Sequence, residues 1–221
     1  MHGAAILDDI AALAAEARVP VKAVSRAKLD AEARTDAPQG VLARAAAREE
    51  VELDHLARPT KGVPPFLLAV DGVTAPGNLV ALLRSAECAG VTGIVLPRHR
   101  AVHVTPSVAK AAAGAVEHLP MAVVGGLAAA LLRLRDLGVW VVGLDEGGDE
   151  RLDRVTLAAE PVALVLGAED SGLSRLVRQR CDVVASIPMR GRLGSLNVAA
   201  AGAIGCYEIA RRRLPEAQPR S

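Results

Sequence analysis

The stretch IPMRGRLGSLNVAAAGAIGCYEIARRR, Ile187 to Arg213, decides how the rest of the chain is read. An apolar, strand-like run ends in Pro188 and Met189, and a loop with Gly191 and Gly194 follows. A helix of small residues then opens through Ser195, Leu196 and Asn197. A helix start needs one capping side chain, and either Ser195 or Asn197 supplies it. Two polar groups around a leucine, behind a loop with two glycines, exceed that need and mark a site. The Ala and Gly of the helix let another backbone approach closely, which suits a ligand, a subunit interface or both.

Outward from this stretch, the chain after residue 65 alternates apolar strand-like runs with amphipathic helical runs. That pattern predicts an α/β fold with a mostly parallel sheet. Strands are expected at FLLAVDGV (66–73), GIVLP (93–97), PMAVV (120–124), VWVVGLD (139–145), VALVLG (162–167) and VVASIPM (183–189). Runs so rich in Val, Ile and Leu suit strands covered on both faces. Helices are expected near 77–90, 105–116, 126–137, 172–181 and 195–213. Before them lies a smaller α/β piece, with a helix around 5–17, a strand VPVKAVS, a short helix around 26–33 and a strand GVLARAA. Charged residues and Pro59, Pro64 and Pro65 make the intervening stretch a linker. The expected division is a small module at 1–47, a linker at 48–65, an α/β domain at 66–214 and a tail at 215–221.

Hydrophobic residues make up 51% of the 221, mostly Ala, Val and Leu. No apolar run reaches the ~20 residues of a membrane span. The opening MHGAAILDDIAALAAEARVP has acids inside its apolar stretch and no basic leader, so the cytoplasm is the expected location. Cys88, Cys181 and Cys206 lack CxxC spacing, which argues against a disulfide framework or a zinc site, and all three read as buried small hydrophobes. No metal is expected. A net charge of +1 does not announce a nucleic-acid binder, and with aromatics at 1% any RNA contact rests on Arg, Lys, backbone N–H groups and shape.

Two more stretches carry chemistry. In DGVTAPGNLVALLRSAECAG (71–90), Pro76 and Gly77 turn the chain and Asn78 opens a helix, either as its cap or as a substrate-binding group. Arg84 stands in an otherwise apolar helix, so its guanidinium either snorkels out or meets an anion such as phosphate. In LVLGAEDSGLS (164–174), a buried strand ends at Gly167, and Glu169, Asp170, Ser171 and Gly172 lead to a helix. Ligands of open α/β sheets gather at such strand ends, although Asp170 or Ser171 serves equally as a plain N-cap. Neither GxGxxG nor GxxxxGK[ST] spacing occurs, which disfavours a dinucleotide fingerprint and a P-loop.

Taken in order, NLVALLRSAECAG, LVLGAEDSGLS and IPMRGRLGSLNVAAAGAIGCYEIARRR resemble the three signature motifs of the SpoU/TrmH family of RNA ribose 2′-O-methyltransferases, over residues 66–213. AKAAAGAVEHLP resembles the family's segment between the first two motifs. VPVKAVSRAKLDAEARTDAPQGVLARA is similar to the later part of a small RNA-substrate module, shortened at its front. The resemblance implies a deep C-terminal trefoil knot, which connection rules alone would exclude. It also implies S-adenosylmethionine as cofactor, a homodimer, and RNA as substrate, rRNA before tRNA. The implied cofactor contacts are Leu144 in the GLDEGG region, Gly167, Glu169, Gly172, Ile187, Met189, Ser195, Leu196 and Asn197, with Ile187 and Leu196 as apolar walls. Arg84 is the implied catalytic residue, positioned together with the ribose and cofactor by Asn78, Glu169, Ser195 and Asn197. Because arginine is an awkward general base, holding an RNA phosphate and easing loss of the 2′-OH proton is the preferred role.

Departures from the family pattern fall at Ala75, Val80, Ala112 and Pro38. Ala75, Val80 and the shortened module motivate a rival reading, a knotted RNA-binding protein without chemistry. A third reading, an α/β nucleotide-binding oxidoreductase, lacks its glycine fingerprint.

Overall fold

The computed structural model describes residues 2–33, 40–46, 48–99, 101–156 and 159–213. Two compact units divide the chain, Met1–Arg48 and Glu49–Ser221.

The first unit carries α1 (His2–Glu16) and α2 (Arg26–Glu32). Ser25 caps α2, its Oγ accepting from the Lys28 N–H at 3.3 Å. The two strands expected here are not present: among the described residues neither 19–25 nor 40–46 pairs into a sheet. Val19, Val21, Val24, Val41 and Leu42 are all exposed. Valine-rich sequence favours a pleated surface only where a neighbouring strand completes the ladder and buries one face. Pro38, one of the departures from the family pattern, lies outside the described residues, as do the expected tail and Leu214.

In the second unit the stretch read as a linker holds a short helix, α3 (Leu53–Leu56). Leu56 is buried at 4% exposure, and a Cβ on Gly93 would meet its Cδ2 at 2.7 Å. The remaining elements are β1 (Phe66–Val70), α4 (Pro76–Cys88), β2 (Gly93–Pro97), α5 (Pro106–Ala111), α6 (Ala115–His118), β3 (Met121–Val124), α7 (Leu127–Asp136), β4 (Trp140–Leu144), β5 (Glu150–Arg151), a 3-10 turn Leu152–Arg154, β6 (Val162–Leu166), α8 (Arg175–Arg178), β7 (Val183–Ser186) and α9 (Val198–Arg213).

The strands form one seven-stranded sheet in the order β3-β2-β1-β6-β4-β7-β5, with every pairing parallel. Central β1 and β6 are buried at all five positions each, which explains their unbroken apolar sequence. One face packs on α4 and α9 through Leu79, Leu82, Cys206 and Ile209. The other packs on α3, α7 and α8 through Leu56, Leu131, Leu134 and Val177. Glycines bring α9 against α4 and the sheet: a Cβ on Gly202 would lie 2.2 Å from Leu82 Cδ2 on α4, and one on Gly205 would lie 2.8 Å from Leu164 Cδ2 on β6. The small-residue face of α9 is therefore packing inside the subunit, and Ile209, at 5% exposure, belongs to that core. At the far end of α9, Arg213 donates to the carbonyls of Pro64 (2.9 Å) and Pro65 (3.1 Å) and covers the Phe66 ring.

Three helix readings change. The helix expected at 105–116 breaks at Ala113 and Gly114, whose φ angles are 52° and 88°. The break turns Val116 and Leu119 into the core beside Val108 and Ala112, so packing overrides the helix propensity of the alanines. The helix expected at 172–181 shrinks to α8, because the loop before it folds back on itself. The last helix begins at Val198, not Ser195. Strand β5 was not expected, being two exposed charged residues that pair with β7. Among the described residues, no helix is long and apolar enough to cross a membrane.

Candidate active site

Because β6, β4 and β7 are neighbours, the loops that leave their carboxyl ends converge: 145–149, 167–174 and 187–197. They enclose a cavity of about 290 Å³. Leu144, Gly167, Glu169, Gly172, Ile187, Met189, Ser195 and Leu196 all line it. Asp145, Glu146, Ala168, Asp170, Ser171, Gly194, Leu166, Val198 and Ala201 line it as well.

The loop 167–174 is a tight fold-back in which Ala168 and Gly172 exchange backbone hydrogen bonds of 3.0 and 2.9 Å. A Cβ on Gly167 would sit 2.1 Å from the Gly172 carbonyl carbon, so only glycine fits there. Gly172 itself has φ +63°, and a Cβ on it would lie 2.5 Å from Asp145 Oδ2. Asp145 ties the walls together. Its Oδ1 accepts from the Gly147 N–H (3.0 Å) and from Arg178 Nη1 (2.9 Å), and its Oδ2 accepts from the Leu173 N–H (3.0 Å). The Asp145 side chain is only 13% exposed, so this ion pair is well sheltered. Sequence reading noted the GLDEGG region but missed this residue. Its partner stands 33 positions away, and no spacing rule joins them.

At the edge of the cavity the three motifs meet on one carboxylate oxygen. Glu169 Oε1 accepts from Asn78 Nδ2 and from Asn197 Nδ2, each at 2.6 Å, and Asn197 Nδ2 also donates to Asn78 Oδ1 at 3.1 Å. Asn197 has a second task. Its Oδ1 accepts from the N–H groups of Ala199 (2.9 Å) and Ala200 (3.3 Å), capping α9. The cap uses the amide oxygen, which leaves the NH2 group to face Glu169.

The capping question is thereby answered by Asn197. Ser195 lines the cavity without a hydrogen-bond partner among the described residues. Asn78 is not a cap: Ala75 holds that position and Pro76 begins α4, which frees the Asn78 side chain for Glu169. Ser174, not Asp170 or Ser171, precedes α8. Gly191 and Gly194 are absent from the left-handed positions, so neither loop turn depends on glycine's freedom. Asn197 stands beside the cavity and does not line it. Arg84 is exposed, has no hydrogen-bond or ion-pair partner among the described residues, and does not line the cavity of its own chain. It takes the snorkelling course.

The departures from the motifs have structural readings: Ala75 caps α4 through its backbone alone, Val80 packs against the core, and Ala112 is fully buried. The cysteines divide. Cys206 is buried and its thiol is pushed up to about 12 by burial, and half-buried Cys181 is pushed up to about 11 for the same reason. Cys88 is exposed, contrary to expectation.

Leu144, Leu166, Ile187 and Leu196 give the cavity an apolar wall, and Glu146, Glu169 and Asp170 give it carboxylates. Such a cavity suits a small ligand with an apolar part and positive charge.

Residues 65–207 match the SpoU rRNA Methylase family, and residues 3–51 match the RNA 2′-O ribose methyltransferase substrate binding family. The chain is 38% identical over 210 residues to the 23S rRNA (guanosine-2′-O-)-methyltransferase RlmB of Pseudomonas putida, covering 94% of this chain and 84% of the relative. It is 43% identical over 180 residues to RlmB of Ralstonia nicotianae, covering 81% and 72% respectively. Among solved structures, the SpoU methyltransferase AviRb of Streptomyces viridochromogenes, in complex with the cofactor AdoMet, superposes with a TM-score of 0.65 at 30% identity. That match covers 73% of this chain and 62% of the AviRb chain, just under two thirds of the latter's length. The convergent motifs and these likenesses agree, and the chain belongs to the SpoU rRNA methylase family.

Proposed function

We propose that the chain methylates a ribose 2′-OH of 23S rRNA, with S-adenosylmethionine as the donor. The observation that carries this reading is the meeting of Asn78, Glu169 and Asn197 beside a cavity whose walls suit that donor. Leu144, Ile187 and Leu196 would hold the adenine, and the carboxylates of Glu146, Glu169 and Asp170 would balance positive charge. The cofactor supplies an activated methyl group on a sulfonium.

The chain's own residues do the rest. Asn78 and Asn197 hold Glu169 in place, and Ser195 orients the ribose. Arg84 grips an RNA phosphate and stabilises the ribose oxygen, whose proton passes to solvent as the oxygen takes the methyl group and the methyl–sulfur bond breaks, leaving a neutral thioether. The first unit serves as an RNA substrate-binding module, and the protein works in the cytoplasm, where rRNA is found. A deep trefoil knot, the finer topology of the family, is part of this reading, supported by the convergence of loops 167–174 and 187–197 on one cavity. We also infer a homodimer through the outward face of α9, where Ile204 is 43% and Tyr207 65% exposed.

Isotope-labelled S-adenosylmethionine incubated with unmodified 23S rRNA transcript tests the reading by nucleoside mass analysis. Labelled 2′-O-methylguanosine is the expected product. Label in bulk tRNA alone moves the substrate to tRNA, and cofactor binding without transfer to either RNA overturns the enzyme reading. Arg84→Ala is expected to abolish transfer while leaving cofactor binding intact.

A further inference from the structure

The loop 187–197 carries a charge pattern that cofactor binding does not use. Arg190 and Arg192 are both exposed, and neither has a hydrogen-bond or ion-pair partner among the described residues. Glu146 Oε2 approaches the same loop at Gly194, 3.8 Å from where a Cβ there would stand, and neither arginine pairs with it. Elsewhere in this unit Arg178 pairs with Asp145, Arg135 with Asp182 and Arg133 with Asp54. The two loop arginines stay open to solvent, in the stretch between the cavity-lining residues Met189 and Gly194. Gly191 separates them, and Leu193, next after Arg192, is 80% exposed.

An exposed apolar side chain beside two unpaired guanidinium groups fits a strand of nucleic acid, with apolar contact to a base and charge contact to the backbone. The composition sharpens the point, since with aromatics at 1% RNA contact rests on Arg, Lys, backbone N–H groups and shape more than on stacking. Two residues apart, the Arg190 and Arg192 backbones are separated by at most about 7 Å, so their long side chains can reach adjacent phosphodiesters.

We propose that Arg190 and Arg192 form a phosphate-binding rim that grips the RNA backbone next to the ribose entering the site. This rests on the RNA-methyltransferase reading above and adds which residues hold the strand there.

The test uses the full chain, a 23S rRNA transcript as probe, and the double substitution Arg190→Ala with Arg192→Ala. RNA affinity is expected to fall about tenfold, and the slope of log affinity against log salt to become shallower by about 1.4 to 1.8, the loss of two phosphate contacts. KM for RNA rises while kcat is retained, and S-adenosylmethionine binding measured by calorimetry is unchanged. Replacing both arginines with lysine keeps most of the slope, because charge is what the phosphate reads. Unchanged RNA affinity and slope in the alanine variant overturn the rim. Weakened cofactor binding with unaltered RNA binding also overturns it, by assigning the arginines to the cofactor's carboxylate. If the wild-type chain binds the transcript without methylating it, the enzyme reading fails while the salt slope still decides the rim. If it binds no RNA, both fall.

Discussion

Asn197 is where the fold and the proposed chemistry share one side chain. Its oxygen caps α9 and its NH2 group meets Glu169, so substitutions can separate the two tasks. Asn197→Ala removes both. Loss of the cap costs about 1 kcal/mol, which for a chain of this size lowers Tm by roughly 2–4 °C, and methyl transfer falls with it. Asn197→Asp keeps a capping oxygen but brings a second carboxylate against Glu169. The expected outcome is a Tm nearer to wild type than that of the alanine variant, with methyl transfer as low or lower. Thermal melts and single-turnover transfer on the same preparations check this, and an active Asp variant would show that the Glu169 contact does not matter. Asn197 was legible as a cap or a site residue from the step Ser195-Leu196-Asn197. Its partnership with Asn78 was not, because a hydrogen bond spanning 119 residues leaves no local mark.

At the scale of elements, the loops between strand and helix carry the constraints that strands and helices do not. Gly172→Ala places a side chain on a left-handed φ and drives its Cβ into Asp145 Oδ2. The backbone strain alone is about 1–2 kcal/mol, and displacing Asp145 loosens the loops it joins. Lower thermal stability and weaker S-adenosylmethionine binding by calorimetry are both expected. Gly191→Ala is the contrasting case: no atom lies within 4 Å of the new Cβ and φ is not in the left-handed region. That variant should melt and bind cofactor as the wild type does. From sequence these two glycines look alike, each in a loop before a helix. What distinguishes them is the fold-back of 167–174 onto Asp145, a tertiary event. The same event explains why the helix expected at 172–181 is mostly loop. The strands were legible for the opposite reason: β1 and β6 are buried on both faces, and burial writes itself into composition as unbroken Val, Leu and Ala.

For the whole molecule, α9 links the interior of the subunit to the outward face proposed above for dimerisation. Its buried side, at Gly202, Gly205, Cys206 and Ile209, is committed to α4 and the sheet, so small residues alone could not have told interface from core. The outward side offers Ile204 and Tyr207, and neither belongs to the buried core. A charge placed there should therefore disrupt association and leave the subunit folded. Ile204→Glu combined with Tyr207→Glu is expected to sediment as a monomer at concentrations where the wild type sediments as a dimer, with far-ultraviolet circular dichroism unchanged. Transfer activity reads the consequence. Arg84 is exposed, without a hydrogen-bond or ion-pair partner among the described residues, and absent from the cavity lining of its own chain, so a neighbouring subunit is a candidate to bring it to a site. If the monomeric variant binds S-adenosylmethionine but no longer methylates RNA, the dimer assembles the chemistry. If it stays fully active as a monomer, Arg84 must reach the substrate within one chain and the interface is dispensable. A wild type that is itself monomeric and active leads to the same conclusion without the substitutions.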